Sequence, residues 1–468
     1  MTEALDADLA HAPAHRLADL VHQRALSPVE LVEGFLARID RAEPQLGAVV
    51  ARDPETARTE AASAAQQAGT EGAPPLLGLP VLVKDSQATR GLRTTFATRA
   101  WSGWVPGDDD AVVARLRQAG CVVIGKTNLC ELGTEPVTEP ELFGPARNPW
   151  DRTRTPGGSS GGSAAALAGG LAPVVTASDG AGSIRIPAAH CHLFGLKPSR
   201  GRVSNGPRTS GGLLGLTSPG PLTRDVTDAA LQLDAMCGPL AGDPCPLPRP
   251  REPFATATRG DPPRLRIGVL TDALFAPLEE SRRAAVAAMG ERLAGLGHAV
   301  EPMSLPVDEG MLADFTLVWA ANVAGLPLQP EQLEPLNAWL ARHAAAHDAG
   351  TLTAAAARLQ LRARRLAEIH AELDVVCSPT VAQPPSRIGE GAQREPAEQF
   401  AWGSAQVGLT PLANLTGQPA ASVPAGLDPE GLPRGVMLTA ASGEEATLLA
   451  LAAQLQRAWD WTALRPPL

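Results

Sequence analysis

The stretch from Thr155 to Arg185, TPGGSSGGSAAALAGGLAPVVTASDGAGSIR, sets two serine groups in glycine. Glycine lets backbone N–H groups come close to a ligand. A serine hydroxyl can attack a carbonyl or relay a proton. Taken alone, GGSSGGS reads equally well as a flexible linker. Its neighbours argue otherwise. Ala164–Leu171 is small and apolar, as in a tightly packed helix, and Leu171–Ala177 reads as a buried strand. A linker does not lead into core elements and then return to glycine and serine at Gly180–Ser183. The predicted order is loop, buried helix, strand, loop.

A third reactive group stands upstream. Leu79–Asp85 (LPVLVKD) is an apolar strand with Lys84 where the run ends. An isolated lysine there snorkels to the surface. A buried one is costly and needs a reason.

Five ordered motifs, GLPVLVKD, GKTNLCELG, GGSSGGSAAA, SDGAGSIRIPAA and FGLKPSRGRVS, resemble the amidase signature family of Ser–Ser–Lys amidohydrolases. The later segments DVVCSPT, LTPLANLTGQPAASVPAGL and GLPRGVML fit the same family. The resemblance implies one large α/β domain over residues 1–468, with a mixed, mostly parallel sheet surrounded by helices. The signature core is expected at about 75–205, and variable substrate-cleft segments at about 205–265 and 305–408.

The resemblance also assigns roles. Ser183 is the expected nucleophile and Lys84 the base. Ser159 is the bridging serine, held by a cis peptide bond, and the family's spacing of 24 positions between the two serines is kept. Backbone donors for a developing oxyanion are expected at Gly180, Ala181, Gly182 and Ser183. The family commonly has glycine where Ala181 stands, and a positive φ there would be costly for alanine. Ser178 replaces a threonine that contacts the bridging serine. Asp179 and Arg185 are expected to orient the site or to brace the loop as an ion pair. Ser160 either bonds near the substrate or caps the helix that follows.

The chemistry accounts for these residue types. An attacking hydroxyl must lose its proton as it adds to an amide carbon. A lysine can accept that proton only when neutral, and at its ordinary pKa only roughly one in 2,500 is neutral at pH 7. Burial lowers that pKa, and the Val81–Val83 strand is expected to supply it. The implied activity is that of a free-standing amidase, releasing ammonia or an amine from a small-molecule carboxamide, with no metal or organic cofactor. The alternatives are the glutamine-hydrolysing subunit of a tRNA-dependent amidotransferase, a cyclic-amide or nylon-oligomer hydrolase, and a non-catalytic binding protein that kept the fold.

Other motifs carry less. His190–Cys191–His192 lacks the spaced ligand pairs of a zinc site, so packing is expected of it. His343 and His347 lie four apart, but no glutamate follows the first as in the zinc-protease motif. A formal net charge of −10 without a basic run argues against nucleic-acid binding. The six cysteines form no CxxC pair, which suits a reducing cytoplasm. No apolar run of about 18 residues could span a membrane, and no secretory leader is read at the start. A homodimer stays open as the assembled state.

The elements that must position the site follow from periodicity and punctuation. Ser27–Pro28–Val29–Glu30 is a capping box, and Leu31, Val32, Phe35, Leu36 and Ile39 share the face of the helix it starts. Ala111–Gln118 is helical, and Cys121–Ile124 is strand-like. The Pro/Gly-rich break Pro239–Pro263 reads as a surface excursion rather than a domain boundary. A strand at Arg264–Leu270, a helix at Ser281–Leu296 and a strand near Val300 follow. Phe315, Trp319, Trp339, Phe400 and Trp402 could line an apolar acyl pocket, or merely bury the apolar faces of their helices.

Overall fold

The computed structural model describes residues 7–273, 276–305 and 310–467. Eleven strands form a single sheet among the described residues. In chain order they are β1 (Val49–Arg52), β2 (Pro80–Lys84), β3 (Val122–Thr127), β4 (Val174–Asp179), β5 (Phe194–Lys197) and β6 (Ser218–Thr223). They continue as β7 (Arg266–Val269), β8 (Ala299–Pro302), β9 (Val375–Pro379), β10 (Ala420–Leu427) and β11 (Pro433–Ala440). Their order across the sheet is β1-β3-β2-β4-β6-β5-β10-β11-β9-β7-β8.

The α/β class and the mixed sheet are as expected; the mostly parallel pairing is not. Of the ten neighbouring pairs among the described residues, only β2 with β3, β2 with β4, β7 with β8 and β7 with β9 are parallel. The other six are antiparallel. Parallel pairs need helical crossovers. The parallel pairs lie on the two flanks, while the centre is antiparallel: β10 and β11 follow directly in the chain, whereas β4 with β6, β5 with β10 and β9 with β11 join non-consecutive strands.

One sheet crosses both halves of the chain, so Pro239–Pro263 is an excursion within a single domain. Its Phe254 is buried in the main core with Leu233, Met236 and Leu455. The capping box holds as drawn: Val29 N–H donates to Ser27 Oγ at 3.2 Å, and Ser27 N–H donates to Glu30 Oε2 at 3.1 Å. The helix Pro28–Leu46 then buries Leu31, Val32, Phe35, Leu36 and Ile39.

Two elements matter most for the site. β2 and β4 are parallel neighbours, with Val81 opposite Val174 and Leu82 opposite Val175. Their C-terminal ends therefore open on the same edge, where ligands collect in α/β sheets. β2 ends at Lys84; β4 ends at Ser178 and Asp179. The helix Gly161–Ala168 is buried along its whole length, and its small side chains let it sit directly on the sheet. It carries the serine group that precedes it to that same edge.

Phe35 is fully buried in the main core. Phe35→Ala should lower the unfolding free energy by about 3–5 kcal/mol, read as a fall in the urea midpoint.

Candidate active site

Lys84 is 1% exposed, so it does not snorkel. Its backbone N–H donates to Thr176 Oγ1 at 2.8 Å, which pins the end of β2 to β4. Its Nζ donates to Ser159 Oγ at 2.8 Å and to Ser178 Oγ at 3.1 Å. No carboxylate among the described residues is bonded to it. Burial lowers its pKa to about 8, a fall that the more distant Asp179 only partly opposes.

Low lysine pKa values are not special to this position. Lys126 and Lys197 are also buried, and burial lowers them to about 8 and about 7. Their partners set them apart. Lys126 Nζ is wrapped by the Gln87 carbonyl, by Thr89 and Thr94 at 2.9 Å each, and by Asp85 at 3.9 Å. Lys197 Nζ donates to the Pro198 carbonyl at 2.8 Å. Only Lys84 directs its amine at hydroxyls that face a cleft.

The Gly158–Ser159 peptide is cis, as the resemblance implies. Gly158 passes hard against the backbone of Val137, leaving no room for a Cβ. Ser160 does not cap the helix with its side chain. Instead its Oγ donates to the Ser178 carbonyl at 3.2 Å, and its N–H donates to the Ser183 carbonyl at 3.3 Å. Ser160 thus ties the two serine loops together from behind.

The loop after β4 turns around Asp179. The Asp179 carboxylate accepts N–H groups from Gly182 at 2.7 Å, Ile184 at 3.1 Å and Arg185 at 3.4 Å. It also pairs with the Arg185 guanidinium at 2.8 and 2.9 Å. Asn414, which sequence reasoning missed, closes the network. Its Nδ2 donates to Asp179 Oδ1 at 2.9 Å, and its Oδ1 accepts from Arg185 at 2.7 Å. Burial pushes the Asp179 carboxyl up, but Arg185 and these bonds outweigh it and hold the pKa at about 2. Asp179 and Arg185 are fully buried, placed behind the loop as a brace.

This geometry changes the expected donor set. The Gly182 N–H is spent on Asp179, so it cannot also face an oxyanion. The N–H groups of Gly180, Ala181 and Ser183 have no acceptor among the described residues. Ala181 itself has no positive φ; the demand for glycine falls at Gly182, with φ +132°. A methyl group at Gly182 would overlap Thr410 and Ile186. Alanine is therefore tolerated at 181 for a plain conformational reason. Thr410 Oγ1 donates to the Ala181 carbonyl at 2.8 Å and fixes that peptide's direction.

Two hollows meet at Ser183, which is 8% exposed. The larger, about 730 Å³, is lined by Lys84, Ser159, Ser178 and Gly180, with Trp101, Trp104 and Arg208 further out. The smaller is mostly apolar, with Ile186, Phe315, Trp319 and Phe400 in its walls. Three of the five aromatics singled out from the sequence thus reach the site. Trp339 packs beside Phe400 instead, and Trp402 lies under Arg394. Trp101 and Trp104 went unnoticed; their spacing in a Gly-rich loop was the available signal.

The candidate metal motifs are packing residues. His190 is buried, and His192 bonds the Trp461 carbonyl at 3.1 Å. His343 stacks on Trp339.

A model of the Amidase family matches residues 30–449. The chain belongs to this family. It is an α/β protein and a hydrolase acting on amide bonds. AmiB2 of Mycobacterium tuberculosis, a putative amidase by name, is 40% identical over 98% of each chain. The 6-aminohexanoate-cyclic-dimer hydrolase of Paenarthrobacter ureafaciens is 36% identical, over 96% of this chain and 95% of its own. Among solved structures, a 6-aminohexanoate cyclic dimer hydrolase complexed with substrate superposes with a TM-score of 0.89 at 33% identity, covering 98% of this chain and 99% of that one. A bacterial aryl acylamidase gives 0.87 at 28% identity, covering 97% of each. Among the described residues, no helix of this amidase is long and apolar enough to cross a membrane.

Gly182→Ala puts a methyl into the Thr410–Ile186 contact at a positive φ. It should lower the melting temperature and cut amide turnover by at least about tenfold, because it shifts the Ser183 peptide. Thermal melts and turnover assays read the two effects separately.

Proposed function

We propose that this amidase cleaves carboxamide C–N bonds through an ester on Ser183. The observation that carries this reading is the 2.8 Å bond from a fully buried lysine to Ser159, on the same cleft wall as Ser183. Ser183 Oγ attacks the carbonyl carbon. Its proton passes to Ser159 Oγ as the Ser159 proton passes to neutral Lys84 Nζ. The C–N bond then breaks, and the relay runs backward to deliver a proton to the departing nitrogen. Water adds to the ester carbon and gives a proton to Lys84 through the same relay; the relay then returns that proton to Ser183 Oγ as the C–O bond breaks and the acid leaves.

The developing oxyanion is received by N–H groups from Gly180, Ala181 and Ser183. Each such donor is worth about 3–4 kcal/mol in the transition state. Ser178 holds the Lys84 amine in line with Ser159.

The substrate of this reading is a small-molecule amide taken up by the chain acting alone. The segments expected to vary supply much of both hollows: Asn205–Thr217 for the larger, and Leu312–Leu336 with Gln399–Val407 for the smaller. The solved structure of a glutamyl-tRNA(Gln) amidotransferase component from Thermotoga maritima superposes less closely, with a TM-score of 0.77 at 27% identity, covering 96% of this chain and 95% of that one. This favours the free-standing amidase over the amidotransferase component. All six cysteines are free, and Cys245 is exposed, which supports work in a reducing cytoplasm.

Ser183→Ala should abolish turnover of a panel of aliphatic, aromatic and cyclic amides. Lys84→Ala and Ser159→Ala should each fall nearly as far, because the relay acts as a unit. Substantial residual turnover in Ser183→Ala contradicts the assignment.

A further inference from the structure

The smaller hollow beside Ser183 has one feature that the hydrolytic cycle does not use. Its walls are apolar, yet Glu135 stands among them with Ile186, Leu312, Phe315, Trp319 and Phe400. Glu135 Oε2 accepts one bond, from Gln399 Nε2 at 2.7 Å. Its other oxygen has no protein donor, and no lysine, arginine or histidine pairs with the group among the described residues. Its charged neighbours are Glu139, Glu131 and Glu334, all acidic. These are themselves engaged: Glu139 accepts the Gly389 N–H at 2.7 Å, Glu131 accepts from Asn337 Nδ2 at 2.9 Å and from the Glu334 N–H at 2.8 Å, and Glu334 accepts the Glu141 N–H at 2.7 Å.

Glu135 is half-buried, so its free oxygen is reachable, and a carboxylate with a single donor in a largely apolar wall is costly. Burial, with Glu139 and Glu131 adding repulsion, pushes the Glu135 carboxyl up to about 7. A cation arriving in the hollow relieves both the desolvation and the repulsion. The aromatic faces of Phe315, Trp319 and Phe400 add a further attraction for such a group.

We propose that Glu135 selects, through this hollow, amides whose apolar arm ends in an ammonium group. The proposal rests on the reading of Ser183 as nucleophile, since it is that serine which places the scissile bond at the mouth of the hollow. The arm spans the apolar walls, and the ammonium replaces the missing donor on Glu135. A methyl in the ammonium's place leaves the carboxylate unpaired; a carboxylate there meets a field of one sign.

The test compares wild type with Glu135→Gln on matched amides. On the acyl side these are 6-aminohexanamide and heptanamide; on the amine side they are N-(5-aminopentyl)acetamide and N-hexylacetamide. In wild type, kcat/KM should favour the ammonium-ended member on one side of the bond by at least about tenfold. Glu135→Gln should shrink that ratio by about tenfold or more. A ratio that stays within about twofold of wild type on both sides overturns the proposal. So does an equal preference for 6-hydroxyhexanamide, which would make Glu135 a hydrogen-bonding group rather than a counter-ion.

If the variant fails to fold, the wild-type ranking decides. Ammonium above hydroxyl above carboxylate supports the proposal, and any other order overturns it. A fluorophosphonate that labels Ser183 separates this idea from the amidase reading. If no amide is turned over, that reading fails. Protection of Ser183 from the label by pentylammonium, and not by 1-pentanol, would still support the role of Glu135; equal protection would overturn it.

Discussion

A primary amine held in the protein interior with only hydroxyl partners is the condition on which the rest of this molecule turns. The ordinary response to burying a lysine is to give it a carboxylate, and this chain does nearly that for Lys126, with Asp85 at 3.9 Å and three oxygens in contact. Lys84 is denied such a partner. With its pKa near 8, roughly one Lys84 in ten is neutral at pH 7, against roughly one in a few thousand for a lysine in water. In the proposed cycle, desolvation is what converts this cation into a proton acceptor.

Everything around the site keeps that amine and two serines on one edge of the sheet. Parallel pairing of β2 with β4 brings Lys84 and Ser178 to the same end. The small-residue helix Gly161–Ala168 lets the Ser159 loop lie against them. The Asp179–Arg185–Asn414 network then stiffens the Ser183 loop from behind, using a paired charge where the front of the loop must stay uncharged. The network also divides the labour among the loop's N–H groups. Gly182 serves the brace, while the N–H groups of Gly180, Ala181 and Ser183 are left without a partner among the described residues.

Much of this was legible in the residues. The glycine–serine clusters, the lysine ending an apolar strand, and the buried helix between them each carry a local signature that tertiary packing does not erase. The resemblance supplied the roles. Other features were not legible. The balance of parallel and antiparallel pairs depends on which strands return directly to a neighbour, and short apolar runs look alike in either case. Asn414 and Thr410 lie over 200 residues from the loop they brace, so no spacing links them to it. Residue types alone do not say whether position 181 or 182 takes the positive φ, and the backbone gives it to Gly182. Glu135 was missed for a related reason: a glutamate between Thr134 and Pro136 looks like surface until the helix Pro396–Gln406 brings Gln399 against it.

The central claim is that Ser183 is activated through a buried, neutral Lys84. The most direct test follows the rate at which a fluorophosphonate labels Ser183 as a function of pH, with the labelled residue identified by mass spectrometry. Because the Lys84 pKa is lowered, the neutral form gains as pH rises. The rate should climb through a single ionisation near pH 8, and Lys84→Ala should both slow labelling and remove that ionisation. A wild-type rate independent of pH across this range, or an unchanged profile in Lys84→Ala, would contradict the account.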